Sequence, residues 1–185
     1  MTISHKKIEK IINLYKENSI VEINNIKKAN YSTIQKDLIL NHFTKSFLEY
    51  KIIDWTNEEN IDCIDFKILM HNNQDILDDD IILIKRLGGT RKDLRVFVSL
   101  LDKFYTLFYD YSFINEINNN WTFKREYIES SIVQSFEFYK EMEMLGYTFI
   151  EDQILNKKIV DVETEVIEKG EVKLFNLLFT DMVKY

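Results

Sequence analysis

Residues 90–111 read TRKDLRVFVSLLDKFYTLFYDY, and the assignment of this stretch decides the fold. Leu94, Phe97, Leu101, Phe104, Phe108 and Tyr111 recur at intervals of three and four, the stripe of a helix that faces a core. Val96, Val98, Leu100 and Leu107 widen that stripe. Thr90, with Asp93 three residues on, resembles a capping box that has Asp in place of the usual Glu or Gln. The pattern predicts a central buried helix over residues 90–112.

Upstream, Gly88-Gly89 predicts the end of a helix over 74–87. Before it, Ile64, Phe66 and Ile68 alternate with Asp65 and Lys67, which predicts a strand within 61–70. Downstream, Tyr127, Ile128, Ile132, Phe136, Tyr139 and Leu145 predict a second long helix over 122–145, with Gly146 as its left-handed terminator. At the N-terminal end, apolar spacing predicts helices over 4–17, 20–28 and 32–50, with Ser4 and Ser32 as N-caps. Asn72-Asn73 and Asn118-Asn119-Asn120 read as turns.

After Gly146 the apolar period falls from 3.6 to 2. Residues 147–155, 158–167 and 171–179 are then three antiparallel strands, the last two joined at Lys169-Gly170. The predicted fold class is α+β: four to five helices around the helix at 90–112, followed by a C-terminal three-stranded antiparallel sheet. Four glycines and no proline argue against a β-sandwich, which needs turn residues about every 8–12 positions.

Charge divides the chain. Residues 1–51 hold nine Lys against five Asp/Glu, while 52–185 hold fifteen Lys/Arg against twenty-six Asp/Glu. The expected organisation is a basic helical segment at 1–51 and an acidic α+β domain at 52–185, within one compact domain or as two modules. The single Cys63 excludes an internal disulfide and a cysteine zinc site. No apolar run approaches the roughly 20 residues that span a bilayer, and no leader precedes the first helix, so the expected location is cytoplasmic, with no membrane partner.

His5, His42 and His71 are far apart, with no ligand at metal spacing, and no covalent nucleophile stands out. The expectation is no enzyme, no cofactor and no metal; Asp78-Asp79-Asp80 lacks the alternation of a calcium loop and reads as a charge run. Arg91, Lys92 and Arg95, after Gly88-Gly89, would contact an anion or phosphate if they open a helix.

The most ordered charge pattern lies at 160–166. There Val160, Val162, Thr164 and Val166 alternate with Asp161, Glu163 and Glu165, and Glu168 and Glu171 follow. On a strand the three acids would form a comb at about 7 Å spacing. A cationic partner would relieve their mutual repulsion.

Two stretches resemble known families. Ser32-Thr33-Ile34-Gln35-Lys36-Asp37-Leu38 is similar to the start of a recognition helix in winged helix-turn-helix regulators. That resemblance implies base or groove contacts from Tyr31, Thr33, Gln35 and Lys36, and backbone contacts from Lys27 and Lys28. Ile64-Asp65-Phe66-Lys67-Ile68, with Asp54 and Glu49 upstream, loosely resembles the PD-(D/E)xK nuclease core, which implies Mg²⁺ held by Asp54 and Asp65 with Lys67 beside the attacking water.

The first expectation for function is a non-enzymatic acidic protein, of the immunity-protein or phage-inhibitor kind, that neutralises a basic partner such as a nuclease, a toxin or another nucleic-acid-binding effector. Asp161, Glu163, Glu165, Glu168 and Glu171 would carry the contact. The alternative is a DNA-binding regulator, in which the acidic remainder dimerises or senses a signal; a Mg²⁺-dependent nuclease is the remote one.

Overall fold

The computed structural model describes residues 3–59, 61–71, 81–115 and 120–180. Asn72-Asn73, Asp78-Asp79-Asp80, Asn118-Asn119 and the first part of the helix expected at 74–87 lie outside the described residues. Three helices open the chain: α1 (Ile3–Glu17), α2 (Ile20–Asn30) and α3 (Thr33–Ser46). Ser19 caps α2 in a capping box with Glu22, and the Ser32 hydroxyl accepts the Gln35 amide at 3.4 Å to open α3. Ser4 falls inside α1 rather than at its cap.

A five-stranded antiparallel meander follows in chain order: β1 (Lys51–Asp54), β2 (Cys63–Leu69), β3 (Thr90–Ser99), β4 (Phe104–Asn115) and β5 (Asn120–Tyr127). The short helix α4 (Ile81–Arg86) sits between β2 and β3. Two helices, α5 (Ser130–Ser135) and α6 (Glu137–Met144), lead to β6 (Thr148–Phe149), which pairs parallel with the start of β4. Beyond β6 the described residues form α7 (Asp152–Leu155), an irregular segment, and α8 (Leu174–Leu178).

The central helix expected at 90–112 is therefore a hairpin, β3 and β4 paired from Thr90↔Phe113 to Val98↔Tyr105. The reversal is made at Asp102, whose carboxylate accepts the Lys103 amide at 2.6 Å. Towards the turn, residues 96–99 and 104–108 are buried on both faces, so apolar side chains there occupy consecutive positions and the run fits a helical period as well as an alternating one. β-Branched Val96, Val98 and Thr106, with aromatic Tyr105 and Tyr109, favour the pleated form. The helix expected at 122–145 likewise divides: its first residues extend β5, and Phe136, extended at φ −75° and ψ 139°, separates α5 from α6. Gly146 does end α6 in the left-handed region at φ 82°, with the Tyr147 amide reaching back to the Met142 carbonyl at 2.8 Å.

The C-terminal three-stranded sheet does not form. Its first segment holds β6 and α7, and the other two meet only in an isolated bridge, Lys158↔Lys173. From Val172 to Phe179 the apolar side chains are buried nearly consecutively, which suits a short helix enclosed on all sides rather than a strand with a wet face.

Strand register sorts the sheet into two faces. Ile64, Phe66 and Ile68 share a face with Leu94, Val96, Val98, Tyr105 and Leu107, and α3 and α6 cover it with Ile39, Phe43, Phe47, Phe138 and Met142. Phe43 packs at 5.9 Å from Phe66 and 4.7 Å from Phe138, ring to ring. The opposite face joins Cys63, Phe97, Phe104 and Phe108 to Ile8 and Ile11 of α1 and to α8.

Candidate functional site

The second face of the sheet is apolar at one end and ionic at the other. Register places Asp65 and Lys67 of β2, Arg91, Asp93 and Arg95 of β3, Asp110 of β4 and Arg125 of β5 on it together. Like charges face each other directly, Lys67 opposite Arg95 and Asp93 opposite Asp110, an arrangement that destabilises a sheet if left uncompensated. Compensation comes along the strands and the diagonals. Arg95 forks onto Asp65 at 2.9 and 2.5 Å and reaches Asp110 at 3.8 Å; Lys67 lies 3.5 Å and Arg91 2.8 Å from Asp93. Arg125 donates to Asp110 at 2.8 and 3.3 Å.

Burial raises the Asp65 carboxyl above its ordinary value, and Arg95 offsets only part of that. Burial raises Asp93 in the same way, against Arg91 and Lys67. The Arg95 guanidinium is raised as well: burial acts to lower it, and the hydrogen bond and charge of Asp65, with the charge of Asp110, together outweigh burial.

This lattice corrects two expectations. Arg91 and Arg95 lie mid-strand and are engaged by carboxylates, so they open no helix and present no anion cradle; Lys92 points to the opposite face, its ammonium 3.5 Å from the centre of the Tyr109 ring. Nor do Asp54, Asp65 and Lys67 converge. Asp54 is opposite Phe66 in the β1–β2 register and therefore shares the face covered by α3, where it pairs with Lys36 at 2.5 Å. Asp65 and Lys67 lie on the other side of the sheet, so this trio is not arranged around one cation. Among the described residues no group of three or more His, Cys, Asp or Glu could hold a metal ion. His42 contacts Glu141 at 2.7 Å, and His5 and His71 approach Glu9 and Asp93.

The N-terminal lysines are similarly engaged. Lys27 is buried and donates to Asp62 at 2.8 Å; burial acts to lower its pKa, and Tyr15 and Asp62 more than restore it. Lys36 is buried between Asp54 and Glu58, 3.1 Å away, and the Tyr31 hydroxyl donates to the same Glu58 oxygen at 3.1 Å. Gln35 donates its side-chain amide to the Tyr147 hydroxyl. Of the six residues of the helix-turn-helix reading, Lys28 and Thr33 are exposed.

The carboxylate segment stands apart from these networks. Between α7 and α8 the chain leaves the body at Lys158↔Lys173, with the Ile159 amide on the Val172 carbonyl at 2.8 Å, and turns at Thr164, whose hydroxyl accepts the Ile167 amide at 3.1 Å. Val162 and Thr164 are buried, which pins the segment to the body and directs Asp161, Glu163 and Glu165 outward without a ladder. Glu168 and Glu171 are exposed as well. Asp161 lies 3.8 Å from Lys16, and Glu171 pairs with Lys158 at 3.0 Å, both at the surface. Val160 and Val166 flank the three acids and are 66% and 55% exposed. The alternation anticipated from sequence thus persists as in-and-out burial, although the strand does not.

The lattice itself escaped the sequence reading. Its signal was charge at alternate positions, Asp65 and Lys67, then Arg91, Asp93 and Arg95, which is visible only once 90–99 is taken as a strand. No helix among the described residues is long and apolar enough to cross a membrane. Comparison with protein-family models, curated proteins and solved structures finds no match.

Proposed function

We propose that this chain is a non-enzymatic binding protein that occludes a basic protein partner, such as a nuclease or toxin, through the segment from Val160 to Glu171. The observation that carries the reading is the projection of Asp161, Glu163 and Glu165 into solvent between two exposed valines, on a segment anchored by Val162 and Thr164. Charge draws in a cationic surface and fixes its orientation; the valines on either side of the acids supply apolar contact. A net charge of −7 extends the same attraction over longer range. The buried, carboxylate-bound state of Lys27 and Lys36 supports this reading over DNA recognition, because base and phosphate contacts need free donors.

The test is affinity capture from the native host with the immobilised chain, using wild type and the triple variant Asp161→Lys, Glu163→Lys, Glu165→Lys. The expected result is one basic protein retained at low salt, released by about 0.5 M salt as screening shortens the reach of the charges, and absent from the variant. Equal capture by the variant would overturn the proposal.

A further inference from the structure

On another part of the surface, two cavities adjoin between α3 and the β3–β4 turn. One, of about 340 Å³, is walled by Ile34, Leu38, Ile39 and Leu145. The other, of about 310 Å³, is lined by Asn30, Ser99, Leu100 and Asp102 among others. Gln35, Lys103 and Tyr147 line both and stand at the junction. Ile34 is 83% exposed and Leu38 is 43% exposed.

Lys103 is exposed and is oriented by two contacts. Its ammonium donates to the Leu145 carbonyl at 2.7 Å and lies 5.7 Å from the Tyr147 ring centre, and its stem crosses the bare backbone of Gly146, where a β-carbon would stand 3.5 Å from Cδ and Nζ. Both partners are neutral. The adjacent carboxylate, Asp102, is taken by Lys7 at 2.7 Å and by the Lys103 amide. An ammonium has three donors, so two of them remain for a ligand at the junction. In the polar cavity, Asn30 and Gln35 each commit a side-chain N–H, to the Leu100 carbonyl and the Tyr147 hydroxyl, and keep an amide oxygen to accept.

We infer that this groove binds the free C-terminus of a peptide ending in an aliphatic residue. The terminal carboxylate meets Lys103, the last side chain fills the cavity of Ile34, Leu38 and Leu145, and the preceding backbone N–H groups meet the amide oxygens of Asn30 and Gln35. A fatty carboxylate would use the cation and the apolar cavity but leave the second cavity's acceptors unmatched, which is why a peptide fits better. The inference is independent of the carboxylate segment.

The test is fluorescence anisotropy on the full chain with the labelled peptide Gly-Ser-Gly-Leu, carrying no other charge, as the free acid and as the amide. The acid is expected to bind about tenfold or more tighter than the amide, the scale of one charge-assisted hydrogen-bonded contact. Lys103→Met should erase that difference, and the triple Lys variant of the carboxylate segment should retain it. No binding of the acid, equal affinity for acid and amide in the wild type, or an unchanged ratio in Lys103→Met would overturn the inference. Octanoate that binds more tightly than the peptide would overturn the peptide assignment. The acid–amide comparison needs only the wild type, so a variant that fails to fold does not remove the test.

Discussion

Arg95 spans the β2–β3 pair to grip both oxygens of Asp65, 2.9 Å from Nε and 2.5 Å from Nη2, in a sheet face that also holds Lys67 directly opposite Arg95. The pair is what makes that opposition tolerable, since removing either partner leaves the other buried beside a like charge. Arg95→Met should therefore destabilise the protein by about 3 kcal/mol or more, the usual cost of breaking a buried ion pair. Urea denaturation measures it as a fall in midpoint. The double variant Asp65→Leu, Arg95→Met should recover part of the loss, because the isolated carboxylate is gone.

The same lattice explains why the fold was only partly legible in the sequence. Helices at the N-terminal end announce themselves through caps and spacing, as Ser32 and the Ile8–Ile11 pair do. In β3 and β4, Leu94 and Phe97 look like neighbours on one helix face, yet they point to opposite sides of the sheet. Two-sided burial removes the alternation that would have marked a strand. The converse error occurred at 160–166, where a segment alternates because it lies across the body with every second residue inward. Period 2 records which side is buried and does not require a ladder.

Phe43 tests whether residues 1–51 fold with the remainder. It lies on α3, is fully buried, and packs on Phe66 of β2 and Phe138 of α6. Phe43→Ala should cost about 3–5 kcal/mol. If the helices and the sheet form one cooperative unit, far-ultraviolet circular dichroism and tryptophan fluorescence should shift together to a lower melting temperature. An early melt of helix alone would show a separate N-terminal module.

Lys36 links α3 to β1 and gives the stability a pH signature. Burial acts to raise Asp54, but hydrogen bonds from Lys36 and Thr56 outweigh it and hold the carboxyl below its ordinary value of 3.8. Lys36, followed by Tyr31, lowers Glu58 from 4.5. A carboxylate depressed by folding contributes stability that is complete above its unfolded pKa and is lost as pH falls through the folded one. Lys36 is itself raised, chiefly by the hydrogen bond to Asp54, so its contribution is complete below 10.5 and is lost as pH rises through the folded pKa. The stability gap between wild type and Lys36→Met should therefore be widest near pH 7 and narrow towards pH 3. Urea titrations at pH 7, 4 and 3 measure the gap; a constant value would refute the linkage.

Gly146 should resist substitution for a backbone reason. At φ 82° it occupies the left-handed region, and alanine there is strained by about 1–2 kcal/mol. A β-carbon would also meet the Lys103 stem at 3.5 Å, an ordinary contact, so strain and not collision sets the cost. Gly146→Ala should lower the melting temperature, and Gly146→Asn should lower it less, because asparagine tolerates this conformation better.

The carboxylate segment should separate stability from binding. Asp161, Glu163 and Glu165 are exposed, and the ion pair that Asp161 makes with Lys16 is long and solvated, so it adds little to the fold. Changing all three to Lys should shift the urea midpoint by no more than the scatter of surface substitutions, within about 0.5 kcal/mol each. Val162→Ala should behave in the opposite way. It removes an anchor that is almost fully buried among Ile8, Ile11 and the α8 side chains, and it should cost about 1–2 kcal/mol while leaving every carboxylate in place. If capture of a basic protein depends on charge alone, Val162→Ala will bind as wild type. If it depends on the acids being held in a fixed array, Val162→Ala will bind more weakly at unchanged net charge, with the loss appearing in the dissociation rate rather than in the salt-sensitive association rate. The anchored array is the expected outcome, because Val162 and Thr164 hold the acids outward where no neighbouring strand does.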